Sequence, residues 1–277
     1  HCCRCWASVA LRGAAEVIEA DLETGGPFPL AGRQFDLVLV VNYLWRPILR
    51  DVMAAVRPGG WLLYETFARG NEAYGRPSNP NFLLRPNELL DVAGGCFQVA
   101  EFRHGLVEGP AVKQMFAGRR RRPVLERARE DGFEVSDDPL RLDLEMLHGE
   151  LCQAYWSRDI PKAVVAAAAQ GSLVFGVYGP DGAQVGYARV VTDRASFGYL
   201  SDVFIAEGSR GRGLSTFLMD AVMAHPDLQG LRRFTLATAD AHDLYRRYGF
   251  ETPEDPSKLM DILDLDIYRR AASEDGS

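Results

Sequence analysis

Arg210-Gly211-Arg212-Gly213-Leu214-Ser215 lies between an apolar run, Tyr199-Leu200-Ser201-Asp202-Val203-Phe204-Ile205, and an amphipathic stretch over residues 216–224. The order reads as strand, glycine turn and helix. Glycines remove the Cβ atoms that would hold a ligand away from the backbone. The first turn of a helix adds N–H groups without intrahelical partners, at the positive end of its dipole. Such a layout suits an anion, and a diphosphate in particular. Two glycines between a strand and a helix can also do nothing except turn the corner, so the surroundings decide.

Downstream, Arg232-Arg233-Phe234-Thr235-Leu236-Ala237 is a further strand-like run, followed by Leu244-Tyr245-Arg246-Arg247-Tyr248-Gly249-Phe250. Together with the glycine loop, these segments resemble the GNAT acetyltransferase family. In that family an Arg/Gln-x-x-Gly-x-Gly/Ala loop holds the pyrophosphate of acetyl-CoA, and a Tyr in a Leu-Tyr-x-x-x-Gly-Phe segment serves as general acid. Arg210, Gly213 and Ser215 match the loop, with Ser in place of the final small residue; Ser is small and can cap a helix. The resemblance implies that Arg210, Gly211, Arg212, Gly213, Leu214, Ser215 and Thr216 take the diphosphate. It also implies that the backbone of Phe204 and Ile205, where the strand splays from its neighbour, pairs with the pantetheine arm.

The reaction so implied is direct attack by a neutral amine on the acetyl thioester, with a proton removed from the ammonium and one supplied to the leaving thiolate. Tyr245 matches the proton donor; read without the resemblance, it is a helix residue packed on the core. Asp202 shares a strand face with Leu200 and Phe204, so a carboxylate there needs a purpose. It is the candidate base, with structural hydrogen bonding as the competing reading. Asp193, Asp240, His242 and a water chain are further candidates.

The remainder of the second half fits the same order. Phe133-Glu134-Val135-Ser136 reads as a strand, and residues 143–156 as a helix with Leu144, Leu147, Leu151 and Tyr155 on one side. A second helix runs from Ile160-Pro161 to Gln170. Leu173-Val174-Phe175-Gly176-Val177-Tyr178 and Val185-Gly186-Tyr187-Ala188-Arg189-Val190-Val191 flank Gly179-Pro180-Asp181-Gly182, a hairpin signal. Tyr155-Trp156-Ser157-Arg158 and Leu200-Ser201-Asp202-Val203-Phe204 resemble a bacterial subgroup of GNAT proteins.

The first half reads differently. Glu16-Val17-Ile18-Glu19-Ala20 suggests a short strand, and Phe35-Asp36-Leu37-Val38-Leu39-Val40-Val41 a strand buried on both faces. Residues 48–56 have helical spacing, Arg57-Pro58-Gly59-Gly60 breaks it, and Trp61-Leu62-Leu63-Tyr64-Glu65-Thr66 resumes as a strand, so a parallel sheet is expected. With Ala20-Asp21-Leu22, Asn42-Tyr43 and Glu65-Thr66-Phe67, this order resembles the C-terminal part of a class I S-adenosylmethionine-dependent methyltransferase, of the small-molecule branch related to tellurite resistance. In the family a strand and a glycine loop wrap the cofactor first. Residues 1–15 hold only Gly13 and cannot supply them. The half therefore reads as a remnant with poorly covered apolar faces, and S-adenosylmethionine is not expected to bind. Trp61, Tyr64 and Phe67 are expected in its core, and His104 at its surface.

Arg119-Arg120-Arg121-Arg122-Pro123 reads as a solvated junction, followed by a charged, helix-prone connector over residues 124–131. The expected organisation is an α/β chain: an incomplete Rossmann-like methyltransferase sheet over residues 1–122, then a GNAT α+β domain with a mixed, mostly antiparallel sheet over residues 123–277.

Composition sets the outer limits. The chain has 277 residues, 47% of them hydrophobic, which is enough for two ordinary domains. A net charge of −7 argues against a general nucleic-acid binder. No apolar stretch approaches membrane-spanning length. Five cysteines make no disulfide framework, so a reducing cytoplasm is expected. His1-Cys2-Cys3-Arg4-Cys5 lacks the ligand spacing of a zinc site, and no metal is expected. The leading expectation is transfer of acetyl from acetyl-CoA to a primary amine of a small molecule or peptide. The alternatives are a small-molecule methyltransferase, should a preceding portion exist, and a noncatalytic CoA-binding module. Acceptor identity and oligomeric state are not written in the sequence.

Overall fold

The computed structural model describes residues 16–274, so the His1 to Cys5 cluster and Gly13 lie outside the described residues. The chain divides between Arg121 and Arg122 into two compact units, each with its own sheet.

In the first unit, β1 (Phe35–Val41) runs parallel to β2 (Val56–Phe67), with α1 (Leu49–Ala54) between them in sequence. After α2 (Glu88–Ala93), β3 (Phe97–Val107) and β4 (Ala111–Arg120) complete a sheet of order β1-β2-β4-β3, in which β4 is antiparallel to both neighbours. Residues 16–20, expected as a strand, have no regular structure.

One face of this sheet is covered and the other is bare. Helix α1 packs on β2 and α2 on β4, burying Val52, Met53, Leu89, Leu62, Tyr64 and Phe116. Strand partners point to the same side of a sheet, and the pairs Leu37↔Trp61 and Leu39↔Leu63 present the opposite face. Leu39 is 62% exposed there, and Leu37, Val41, Trp61 and Leu63 are exposed with it. The expectation of a strand buried on both faces is thus corrected: an apolar run needs a layer on each side to be buried twice, and no described helix covers this one. Trp61, expected in the core, belongs to the bare face, whereas Tyr64 is buried and donates its hydroxyl to the Tyr43 carbonyl at 2.9 Å.

The arginine run also departs from its reading as a solvated junction. Arg119 and Arg120 end β4, and Arg120 is buried, donating to the carbonyls of Ala54 (3.0 Å) and Val56. A buried guanidinium needs such acceptors, and the end of α1 and the start of β2 supply them.

The second unit is a six-stranded sheet of order β10-β9-β8-β7-β6-β5. Its strands are β5 (Glu126–Ala128), β6 (Glu134–Ser136), β7 (Leu173–Tyr178), β8 (Gln184–Thr192), β9 (Phe197–Ile205) and β10 (Arg233–Thr235). Only β9 and β10 are parallel; the other pairs are antiparallel. Helices α3 (Leu144–Leu151) and α4 (Lys162–Gln170) share a core with Val174 and Tyr187. On the other side α5 (Leu214–Ala224) packs with Phe175, Val177, Ala188 and Val190. Alternate residues of β7 thus serve opposite cores, as the two-residue period of a strand requires. Two shorter helices follow, α6 (His242–Arg246) and α7 (Ile267–Glu274).

Strand β5 replaces the helix-prone connector expected over residues 124–131. Its helical propensity is overridden by pairing with β6 (Arg127↔Val135) and by the Asp137 carboxylate, which accepts from the backbone N–H of Val124 (3.2 Å) and Leu125 (3.0 Å). The same carboxylate accepts from Nε2 of the fully buried His225 at 3.1 Å, while Nδ1 of that ring accepts the Asp227 N–H at 3.1 Å. The two ring nitrogens therefore have fixed and opposite roles.

Candidate active site

The site begins where two parallel strands part. Strand β10 stays paired with β9 only as far as Thr235↔Tyr199, whereas β9 keeps its other neighbour, β8, to Gly186↔Ile205. From Leu200 onward, the edge of β9 that faced β10 has no strand partner among the described residues. Within this free stretch the register with β8 slips between Tyr187 and Arg189, giving β9 one extra residue. Asp202 sits at that bulge with φ 54°, a left-handed conformation that Asp tolerates better than most residues.

The Asp202 side chain is almost fully buried and fully engaged. Arg189 Nε donates to Oδ2, and Trp156 Nε1 (3.3 Å) and Ser201 Oγ (3.2 Å) donate to Oδ1. Phe204 packs its ring 6.1 Å from that of Tyr187, and the Ile205 carbonyl accepts from Arg210 Nε at 3.0 Å. The Arg210 guanidinium is thereby tied back to the strand end.

Past β9 the chain turns through Gly211 (φ 76°) and Gly213 (φ 72°) into α5, whose first helical bond is Phe217 N–H to the Gly213 carbonyl at 3.1 Å. The N–H groups of Gly211, Arg212, Gly213, Leu214, Ser215 and Thr216 find no acceptor among the described residues. Leu214 is buried and anchors the helix start in the core, while a Cβ added at Gly211 would meet nothing within 4 Å. The turn is therefore an open row of donors, with Arg210 and Arg212 on it and the helix dipole behind it.

A residue that the sequence reading left in the connector completes the loop. Arg129 Nη1 donates to the Arg212 carbonyl at 3.0 Å, its other nitrogens pair with Asp131, and its guanidinium lies over the rings of Phe133 (5.9 Å) and Phe217 (5.6 Å). Because β5 was not foreseen, no local signal brought Arg129 to this loop.

Tyr245 lies on α6, buried, with its ring edge-on to Phe250 at 6.0 Å. Burial pushes its phenol up to about 12, reinforced by the charge of Asp240 and by Tyr155. The hydroxyl makes no hydrogen bond within the described chain, yet it is not sealed from solvent as those of Tyr43 and Tyr178 are. Tyr155 reaches toward the same place: its hydroxyl accepts the Ala239 N–H at 3.1 Å, just ahead of α6.

Of the lesser candidates, Asp193 closes the β8–β9 turn. It accepts from the N–H groups of Ala195, Ser196 and Phe197 and from Ser196 Oγ, and these bonds hold its carboxyl far below the usual carboxylate range. Asp240 and His242 are exposed. Among the described residues, no three His, Cys, Asp or Glu side chains converge as a metal site, and no helix is long and apolar enough to cross a membrane.

Comparison with known proteins places this arrangement. Residues 170–252 match the family described as acetyltransferase (GNAT) domain. A Gibberella zeae protein assigned as an acetyltransferase is 32% identical over 136 residues, which are 41% of this chain and 75% of that protein. A crystallised Xanthomonas campestris pv. campestris protein, assigned as a GNAT-family acetyltransferase, is 53% identical over 49% of this chain and 96% of its own, with a TM-score of 0.48. The matches define a class, the acetyltransferases, and the chain belongs, through its second unit, to the GNAT family of that class.

Proposed function

We propose that the second unit, over residues 123–277, moves an acetyl group from acetyl-CoA to a primary amine of a small molecule or peptide by direct transfer. The observation that carries this reading is the row of six partnerless N–H groups from Gly211 to Thr216. Donors so arranged suit the paired phosphates of a nucleotide better than any single carboxylate. Arg210 and Arg212 add charge, and the unpaired edge of β9 at Phe204 and Ile205 gives the pantetheine amides a strand to lie along.

With the thioester at the bulge, the neutral amine nitrogen attacks the carbonyl carbon and the C–S bond breaks. The thiolate then takes the Tyr245 phenolic proton. A phenol held near 12 is fully protonated at neutral pH, as a donor must be. The proton lost by the amine returns through water to the phenolate. Asp202, the candidate base, already accepts from Arg189, Trp156 and Ser201, which suits a fixed anchor better than a proton acceptor. Calorimetry with acetyl-CoA tests the reading: one site of micromolar affinity is the expected result, and absence of heat at high micromolar concentration would remove it.

The first unit we read as methyltransferase-like in its described elements, which by themselves are not expected to take S-adenosylmethionine. The parallel β1–β2 pair, with α1 between the two strands in sequence, supports this reading, and among the described residues no helix covers the face around Leu39. A calorimetric signal with S-adenosylmethionine would overturn this and favour a second activity.

A further inference from the structure

We infer that Tyr155 and Trp156 form the binding surface for a cationic acceptor, and that Asp202 is a positioning residue that holds this surface in place. The inference rests on the acetyl-transfer reading and deepens it.

Two neighbouring side chains span the gap opened by the parting strands. Trp156 donates its indole N–H to Asp202 at the β9 bulge, and Tyr155 accepts the Ala239 N–H from the segment that follows β10. Between these anchors the rings meet edge to face, with centroids 4.8 Å apart. Each ring is fastened by its polar tip, and yet Tyr155 is 56% and Trp156 44% exposed. Aromatic side chains normally bury their apolar area and leave the polar tip wet. Here both tips are hydrogen-bonded to the protein while much of each side chain remains in water, which suits a ligand surface better than a core.

The chemistry of the ligand follows from what the faces offer. An aromatic face attracts a cation, and Asp240, adjacent to the Ala239 anchor, is exposed and forms no ion pair among the described residues. Hydrocarbon beside the charge would gain from the same faces. An alkylammonium group matches both, and a phosphorylated or carboxylated acceptor would meet Asp240 with like charge.

Asp202 ties this surface to the rest of the unit. Arg189, which neutralises it, also donates to Ser172 Oγ (3.4 Å) and Ser201 Oγ (3.3 Å). A substrate proton delivered to Asp202 would leave Arg189 facing a neutral partner in a nearly dry site. Holding the indole N–H demands no such loss.

Choline and its uncharged isostere 3,3-dimethylbutan-1-ol, neither of which carries an amine to acetylate, are suitable probes. Titrations are followed at the Trp156 indole N–H in ¹⁵N–¹H spectra, assigned through Trp156→Phe. Choline should shift this signal and bind at least about threefold more tightly than the isostere, an advantage that Asp240→Asn reduces. Asp202→Asn, whose side chain tolerates the left-handed backbone, should move the indole signal without probe and weaken choline several-fold. Tyr155→Phe keeps the ring and serves as a milder variant should Asp202→Asn unfold. No choline-induced shift at tens of millimolar, equal shifts by both probes, or choline affinity unchanged in both variants would each overturn the inference. Acetyl-CoA calorimetry on the same wild-type sample separates the two failures, because lost acetyl-CoA binding sinks the enzyme reading and leaves the choline result to stand or fall alone.

Discussion

Arg129 Nη1 donates to the main-chain carbonyl of Arg212 at 3.0 Å, so the donor-lined turn is fixed from the β5–β6 hairpin as well as from α5. Removing a charged donor from such a bond costs about 1.5–3 kcal/mol. Arg129→Ala is therefore expected to weaken acetyl-CoA roughly tenfold or more, with Arg129→Lys intermediate. Calorimetry on the three proteins checks the order.

Gly213 precedes α5 with φ 72°, and an added Cβ would find only Arg129 Nη1, at 3.9 Å. Space is not the obstacle; the left-handed backbone is. Gly213→Ala should lower stability by about 1–2 kcal/mol, visible as a lower thermal midpoint of the second unit, and should weaken acetyl-CoA as the turn relaxes.

Tyr245→Phe keeps the ring in the core and removes only the hydroxyl proposed as proton donor. A loss of about 10²–10⁴ in kcat, with acetyl-CoA affinity retained, is expected from general-acid catalysis. The pH dependence carries a sign as well. With the folded phenol at about 12 and an ordinary tyrosine near 10, the folded state favours the protonated form. Tyr245 thus contributes stability that is complete below pH 10 and lost as pH rises through 12. Wild-type protein should lose stability more steeply than Tyr245→Phe over that window in urea titrations.

His225 is fully buried between the Asp137 carboxylate and the Asp227 N–H. His225→Leu leaves a buried carboxylate short of one donor and an N–H without its acceptor. A cost of about 1–3 kcal/mol is expected, read as a drop in the unfolding midpoint.

The two faces of the first sheet should respond differently. Leu62 is fully buried, and Leu62→Ala should cost about 2–5 kcal/mol. Leu39, on the bare side, should tolerate Leu39→Ser within about 0.5 kcal/mol. Denaturant unfolding of the two variants makes the comparison, and a large cost at Leu39 would mean that the bare face is covered in solution.

Periodicity made the second unit readable because its elements obey local rules. The hairpin around Gly179-Pro180-Asp181-Gly182, the alternation of β7 and the turn at Gly211 and Gly213 are all written within a few residues. What escaped was decided at a distance. β5 exists because β6 and the Asp137 carboxylate recruit a helix-prone segment, and Arg129 reaches the loop only as a result. Asp202 stood out as a carboxylate on an apolar strand face, but its partners Arg189 and Trp156 lie 13 and 46 residues away in sequence. Trp156 carried a family cue without a role. In the first unit the apolar run at Phe35–Val41 spoke for burial on two sides, and only the sheet's neighbours could say that one side is missing.

The segment that matches the family begins well after several of the parts that set its geometry. Residues 170–252 carry the glycines and Tyr245, whereas Arg129, Tyr155 and Trp156 lie before it. An excised fragment with those limits would keep the signature and forfeit its scaffolding: the turn would lose its outside fastening and the bulge its indole. Cloning boundaries drawn around the recognisable motif would thus yield a protein that looks complete on paper and holds its glycine turn poorly, so expression should begin upstream of Leu125.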